Sequence, residues 1–291
     1  MTKSIAVVCS PGIGDGLIMH IASHSLAQAG FQVTTFNDHL SGFGKWLKGY
    51  SLAKQPSQEA IEETFQHFDA IILQHDNTPK SKKIKTLKPK IFGFYGSHLV
   101  SKHGELTAHD YVCDPTKSMV LNLSLAMTKW FGLPSTENGL LPPSGLIHKK
   151  HPRRIAIHPG SSASTKNWPL EKFLQVSTFL KKQSYEPVFL SQEERPIFPS
   201  LEELASFLYE SGAFLGNDSG PGHLASYLNI PSLIIGSSSK HLQLWRPGWF
   251  PPIIATPPRI ASYFKWTRPH WKSFITTKKV IKQLKTNILY K

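Results

Sequence analysis

Phe214-Leu-Gly-Asn-Asp-Ser-Gly-Pro-Gly-His-Leu-Ala-Ser226 runs from an apolar segment through a small polar turn into the start of a helix. A strand that hands over directly to a helix is the building unit of an α/β fold, and the turn between them makes an anion site. The unbonded backbone N–H groups of a helix's first turn point outward together and carry about half a positive charge, so a phosphate docks there without a dedicated cation. The small residues of the turn let a ligand approach the backbone, and Asp218 and Ser219 supply oxygens that fix where the helix begins.

The same alternation runs outward in both directions. Toward the C-terminus and back to mid-chain, short apolar runs at residues 154–158, 187–190, 213–216 and 231–235 read as strands, and periodic stretches at 169–182, 201–209 and 221–228 read as helices. A basic amphipathic helix over 277–289 closes the chain. Toward the N-terminus, a buried strand at 4–9 leads into the loop Ser10-Pro-Gly-Ile-Gly-Asp-Gly16 and a helix over 17–29 ended by Gly30. Further strands follow at 31–36, 69–74 and 90–95, and a helix at 118–131 is stopped by Gly132 and Pro134. Residues 135–152 are rich in Pro, Gly, Lys and His without any period, which is the composition of a linker. The reading is therefore a first domain over 1–140, a linker over 141–153, a second domain over 154–276 and a closing helix over 277–291. Ligands of open parallel sheets bind beyond the carboxyl ends of the strands, which predicts a site in the cleft between the domains.

Composition bounds the function. With 291 residues and 40% hydrophobic content the chain has material for two cores. No apolar run approaches the roughly 20 residues of a membrane span. The first sixteen residues hold one lysine and a short apolar run, too little for a signal peptide, which predicts a cytoplasmic protein. Cys9 and Cys113 have neither metal-ligand spacing nor a disulfide framework and read as buried thiols. The net charge of +14 asks for anionic partners. It is concentrated in residues 79–90 and in His148-Lys-Lys-His-Pro-Arg-Arg154, each of which reads as a solvated loop or as a surface for anionic lipid.

Four segments carry the chemistry: Gly12-Ile-Gly-Asp-Gly16, His158-Pro-Gly-Ser-Ser162 with Lys166-Asn-Trp-Pro169, Gln192-Glu-Glu194, and Gly216-Asn-Asp-Ser-Gly-Pro-Gly-His223. Their order and spacing, with the Trp245-Arg-Pro region, resemble glycosyltransferase family 9, the bacterial lipopolysaccharide heptosyltransferases. The resemblance implies a GT-B fold, with two Rossmann-like parallel-sheet domains facing across a cleft. It also implies an inverting, metal-independent transfer of a sugar from a nucleotide diphosphate donor.

By the same resemblance Asp15 is the general base, with Gly14 beside it among the donor-binding positions. By itself, an Asp before a helix reads first as an ordinary N-cap. Ser161, Ser162 and Lys166 are suited to surround phosphate oxygens, and a preorganised cation with helix N–H donors stabilises the charge that builds on a departing diphosphate. Trp168 and Pro169 read as starting and bracing the following helix. Glu193 or Glu194 either bonds ribose hydroxyls, where the family has an acidic residue, or forms a charged surface turn. Asp218, Ser219, Gly220 and His223 match the family's contacts to the donor's sugar and phosphates, while a helix-surface role for His223 remains open.

Other chemistries fit less well. Gly12, Gly14 and Gly16 give GxGxG where a dinucleotide fold needs GxGxxG, and Asp15 would set a negative charge where pyrophosphate belongs. His20 and His24 are one helical turn apart but lack both the glutamate of HExxH and a third ligand, and no Asp-x-Asp pair is present to hold a metal on a diphosphate. The chain thus reads as a transferase without cofactor or metal, taking a nucleotide sugar, by resemblance ADP-heptose. Its acceptor is an anionic surface glycolipid such as the lipopolysaccharide core, met at the cytoplasmic face of the inner membrane. A sugar-nucleotide epimerase or a non-catalytic sugar-nucleotide binder keeps the same fold. A nucleic-acid-binding role rests on charge alone and lacks every supporting motif.

Overall fold

The computed structural model of the chain describes residues 2–96, 105–192, 195–258 and 270–290. The chain divides into two compact units, Met1–Pro143 and Ser144–Lys291.

The first unit is built on a parallel sheet of order β3-β2-β1-β4-β5-β6, from β1 (Ser4–Val8), β2 (Gln32–Phe36), β3 (Ser51–Ala53), β4 (Ala70–His75), β5 (Lys90–Tyr95) and β6 (Tyr111–Val112). The chain runs from β1 outward to β3 and then returns to β4 on the other side of β1, so the connections diverge between β1 and β4. That reversal opens a crevice at the strands' carboxyl ends. One sheet face packs Ala6, Val8, Ile71 and Leu73 against Phe36, Ile61, Phe65 and Ile84. Helices α1 (Ile13–Gln28) and α4 (Met119–Phe131) pack together, and α1 is buried along most of its length. Burial of this kind contributes about 1.5–3 kcal/mol for each large apolar side chain.

Helix α1 starts at Ile13, four residues before the sequence pattern suggests. Gly14 and Gly16 weaken helix propensity by about 1 kcal/mol each relative to Ala, which argues for a loop. Packing overrides that preference: a β-carbon at Gly16 would stand 2.9 Å from the Asn37 side chain and 3.0 Å from Leu40 Cγ. Asp15 is therefore inside the first helical turn, not in a loop before it.

The basic run is also corrected. Residues Pro79–Lys85 form helix α3, capped by Thr78, whose hydroxyl accepts from the Ser81 N–H, and started by Pro79. Lys80 and Lys83 donate to the carbonyls of Pro56 and Gln58, and Lys85 pairs with Asp110 at 2.7 Å. Lys82, Lys88 and Lys90 stay exposed.

The unit's last residues strap α1. Asn138, fully buried, donates to the Leu17 carbonyl, and His20 Nδ1–H donates to the Asn138 carbonyl at 2.6 Å. His24 Nδ1 instead meets the Tyr50 hydroxyl, so the two histidines serve separate partners and do not converge on a shared ligand. Burial pushes the His20 imidazole down from 6.5 to about 4. The unfolded chain therefore takes up this proton first as pH falls. Stability is unaffected above about pH 6.5 and lost progressively toward pH 4, by about 3 kcal/mol from this group when the shift is fully expressed. Denaturant melts at pH 7.5 and 4.5 are expected to show that loss, and His20→Gln is expected to reduce its pH dependence by about one proton even though the variant starts less stable at pH 7.5. An undiminished dependence in the variant would remove His20 as the cause.

The second unit has a parallel sheet of order β13-β12-β11-β7-β8, from β7 (His151–His158), β8 (Glu186–Phe189), β11 (Ser211–Asn217), β12 (Ser232–Ile235) and β13 (Ile253–Ala255). A two-stranded antiparallel ribbon, β9 (Ser191–Gln192) with β10 (Arg195–Pro196), stands apart from it. Helices α5 (Leu170–Lys182), α6 (Leu201–Tyr209), α7 (Gly220–Tyr227) and α8 (Ser239–Trp245) alternate with the strands. Here the reversal lies between β7 and β11. Strand β7 takes in His151–Arg153, which the sequence pattern assigns to the linker. Ile155, Ile157, Leu215 and Leu233 form a core with Trp168, Phe173, Val176 and Leu180, completed by Val280 and Leu284 of the closing helix Thr277–Leu284. A π-helical turn, Lys285–Leu289, follows it, and Tyr185 donates its hydroxyl to the Leu289 carbonyl at 2.7 Å.

Candidate functional site

At the reversal of the first sheet, the loop after β1 is held by three side-chain amides from neighbouring strand ends. Asn37 donates to the Ser10 carbonyl at 2.9 Å, Gln55 to the Cys9 carbonyl, and Gln74 accepts from the Ser10 N–H at 2.9 Å. Gln74 then donates its other amide arm to Asp15 Oδ1 at 2.6 Å. The second carboxylate oxygen folds back over the helix start, where a β-carbon on Gly12 would lie only 2.5 Å away. A larger residue at position 12 would therefore push the Asp15 carboxylate from this place. Asp15 is half-buried, with the helix dipole and the Gln74 amide both favouring a carboxylate there. Gly14 is buried in the same turn. Among the described residues no group of three or more His, Cys, Asp or Glu side chains is placed to hold a metal ion.

At the reversal of the second sheet, the loops after β7 and β11 are tied together. His158 ends β7, and its Nδ1 lies 3.0 Å from Ser219 Oγ in the turn after β11. The Ser219 hydroxyl donates to the Asn217 carbonyl at 3.0 Å, so the His158 ring supplies the N–H of its bond. Burial pushes the His158 imidazole down from 6.5 to about 4, so near neutral pH the ring is an uncharged strut and not a cation. Asn217, fully buried, braces the same two loops: its amide donates to the Pro159 carbonyl and accepts from the Trp168 N–H at 3.0 Å. Trp168 is 1% exposed and donates its indole N–H to the Ile275 carbonyl at 2.9 Å, which makes it a brace as its place before α5 suggests.

The loop so held carries the sequence-predicted phosphate ligands. Ser161 is engaged inside the loop, donating to Asn167 Oδ1 at 2.6 Å. Ser162 is exposed, as is Lys166 at the end of the 3-10 turn Ser164–Lys166. Across the tie, Ser219 stands at the N-cap position of α7 (Gly220–Tyr227) but makes no side-chain cap bond, contrary to the capping role its place in the sequence suggests. Pro221 has no N–H and the Gly222 N–H donates to the Ser219 carbonyl at 3.0 Å, which leaves the Gly220 N–H at the helix start. Asp218 sits in that turn with a side chain 14% exposed, its Oδ2 3.3 Å from His241 Nε2 on α8. His223 is only 6% exposed. That burial is compatible with packing within α7, and the residue stays at the same helix start as Gly220. Glu193 and Glu194 lie outside the described residues.

The second unit therefore brings Ser161, Ser162, Lys166, Asp218, Ser219 and Gly220 onto loops leaving adjacent strands. Gln74 and His241 are members that sequence reasoning passed over, and His158 and Asn217, though inside the quoted segments, were given no role of their own. Asn217 left a faint signal, a polar residue ending an apolar strand. Nothing in the sequence pairs His241 with Asp218, because the two are joined only by the order of strands.

No protein-family model matches the chain. The chain is 35% identical over 109 residues to lipopolysaccharide heptosyltransferase 1 of Campylobacter coli, a match over 30% of this chain that spans about a third (32%) of that relative. Among solved structures it is similar to a glycosyl transferase family 9 protein of Veillonella parvula, with TM-score 0.71 at 19% identity, covering 99% of this chain and 98% of that one. It is likewise similar to E. coli heptosyltransferase WaaC with ADP, with TM-score 0.72 at 15% identity over 98% and 100% of the two chains. The fold is GT-B, with two Rossmann-like parallel-sheet units. The resemblance to glycosyltransferase family 9 drawn from four short motifs is matched by this sequence relative and these folds.

Proposed function

We propose that the chain is an inverting, metal-independent glycosyltransferase that moves a sugar from a nucleotide diphosphate donor, ADP-heptose, to a hydroxyl of an anionic glycolipid such as the lipopolysaccharide core. The observation that carries the reading is the pair of loops joined through His158 and Ser219 at the β7/β11 reversal, one carrying Ser161, Ser162 and the exposed Lys166 and the other leading into the α7 N-terminus. The similarity to heptosyltransferases, one of them solved with ADP, supports the nucleotide and the sugar class.

In this reading the α7 N-terminus, through its dipole and the Gly220 N–H, and Ser219 receive the donor's diphosphate, and Lys166 adds its ammonium. Asp15 takes the proton of the acceptor hydroxyl. The freed oxygen pair attacks the anomeric carbon from the side opposite the diphosphate, the anomeric C–O bond breaks, and its electrons leave on the diphosphate oxygen. Configuration inverts because attack and departure lie on opposite faces. Lys166 and the helix N-terminus meet the charge that builds on the leaving oxygen, the task a divalent metal would otherwise perform.

The net charge of +14 and the exposed Lys82, Lys88 and Lys90 suit a phosphorylated acceptor at the surface of an anionic membrane, which the protein meets peripherally from the cytoplasmic side. Among the described residues no helix is long and apolar enough to cross a membrane.

A thermal-shift comparison of ADP-, UDP- and GDP-sugars tests the donor. A ligand at about 100 times its Kd stabilises the folded state by about 2.7 kcal/mol, so ADP-sugars are expected to raise Tm by several degrees and the others by less. An unmoved Tm with all three would sink the donor reading.

A further inference from the structure

We infer that His241 is a positioning residue of the proposed donor site: its imidazole holds one oxygen of Asp218 and leaves the other for hydroxyls of the donor's sugar. The inference rests on the donor reading above. Strands β7, β11 and β12 lie side by side, so the loops that follow them share one end of the sheet. The first two are joined through His158 and Ser219, and the second and third through Asp218 and His241, whose Oδ2 and Nε2 are 3.3 Å apart.

Both partners are fixed independently of each other. The Asp218 N–H donates to the Ile235 carbonyl at the end of β12, at 3.1 Å. The His241 N–H donates to Ser238 Oγ at 3.4 Å, and its ring stacks on Trp245 with centroids 6.3 Å apart and planes at 24°. Of the two Asp218 oxygens, only Oδ2 has an ion-pair partner among the described residues.

The charge pattern explains why such a pair is needed. Asp218 stands immediately before the α7 N-terminus, where the diphosphate docks in this reading, and an unpaired carboxylate there would repel it. The His241 ring, 3.3 Å from one carboxylate oxygen, offsets that repulsion electrostatically and restricts the side chain's rotamers. A carboxylate only accepts hydrogen bonds, so its free oxygen cannot serve phosphate oxygens and selects a donor group, which on a nucleotide sugar means hydroxyls. His241 thereby contributes to recognition of the sugar, not of the diphosphate.

Calorimetric binding of ADP-heptose and of ADP to the full chain separates these parts. The wild type is expected to hold ADP-heptose more tightly than ADP. His241→Leu is expected to weaken ADP-heptose by about tenfold and ADP by less than about twofold, while His241→Gln, which keeps an N–H at similar reach, stays within about threefold of wild type. Because His241 acts through Asp218, the double variant Asp218→Asn/His241→Leu is expected to bind ADP-heptose no more weakly than Asp218→Asn alone. Additive losses, equal weakening of ADP and ADP-heptose, or an unchanged ADP-heptose affinity in His241→Leu would each overturn the proposal, as would equal affinity of the wild type for the two ligands. A wild type that binds neither overturns the donor reading itself, and this one with it.

Discussion

Asp15→Asn is expected to lower kcat by about 10²- to 10⁴-fold while leaving ADP affinity within about twofold, the range a positioned general base contributes. The substitution is close to isosteric. An amide oxygen still accepts from Gln74 Nε2, which now reaches Asp15 Oδ1 at 2.6 Å, so the crevice between β1 and β4 keeps its shape. What is lost is the capacity to take a proton from the acceptor hydroxyl. The structural cost is small, because a carboxylate in the first helical turn gains only about 0.3–1 kcal/mol from the dipole. A melting temperature within a few degrees of wild type alongside a collapse in turnover therefore identifies a base and not a helix-starting residue. Turnover that survives within about tenfold at saturating donor would reduce Asp15 to the structural role its position in α1 equally allows.

The parallel sheets were legible because their strands are short apolar runs bounded by turn residues, and the strand–turn–helix at Ser211–Tyr227 was clearest of all. Elements whose stability comes from neighbours were not. Strand β3 has three residues and is recognisable only by its pairing with β2, and β13 by its pairing with β12. Helix α3 reads as a solvated lysine run because four lysines hide its two anchors, Ser81 at 4% and Ile84 at 3% exposure. Its lysines then reach back to carbonyls and an aspartate, which no charge count can foresee.

The site divides the same way. Residues that meet ligand in the proposed mechanism, Asp15, Lys166, Asp218 and Ser219, stand in turns or at a helix start with small neighbours, a local pattern visible along the chain. Residues that hold those loops come from other strands: Gln74 is 59 positions from Asp15, Asn217 is 49 from Trp168, and His158 is 61 from Ser219. Such pairs exist only once sheet order is known.

Lys166→Met is expected to lower kcat/KM by about 10²- to 10³-fold, the loss usual for removing one preorganised donor from a site of developing negative charge. The side chain is exposed, and the loop under it is fastened by other groups: the Lys166 N–H to the Ala163 carbonyl at 2.9 Å, and the Trp168 N–H to Asn217 at 3.0 Å. Deleting the ammonium therefore leaves the fold intact, and a Tm within about 2 °C of wild type should accompany the rate loss, as for a surface substitution. Lys166→Arg keeps the charge but spreads it over a planar fork, so only partial recovery is expected. The same role predicts that wild-type turnover is unchanged in excess EDTA, because the lysine and the α7 N-terminus carry the leaving-group charge that a metal carries elsewhere. A more than tenfold EDTA-dependent loss restored by Mg²⁺, or a Lys166→Met enzyme with wild-type kcat/KM, would move that work to another group and leave Lys166 a solvated side chain.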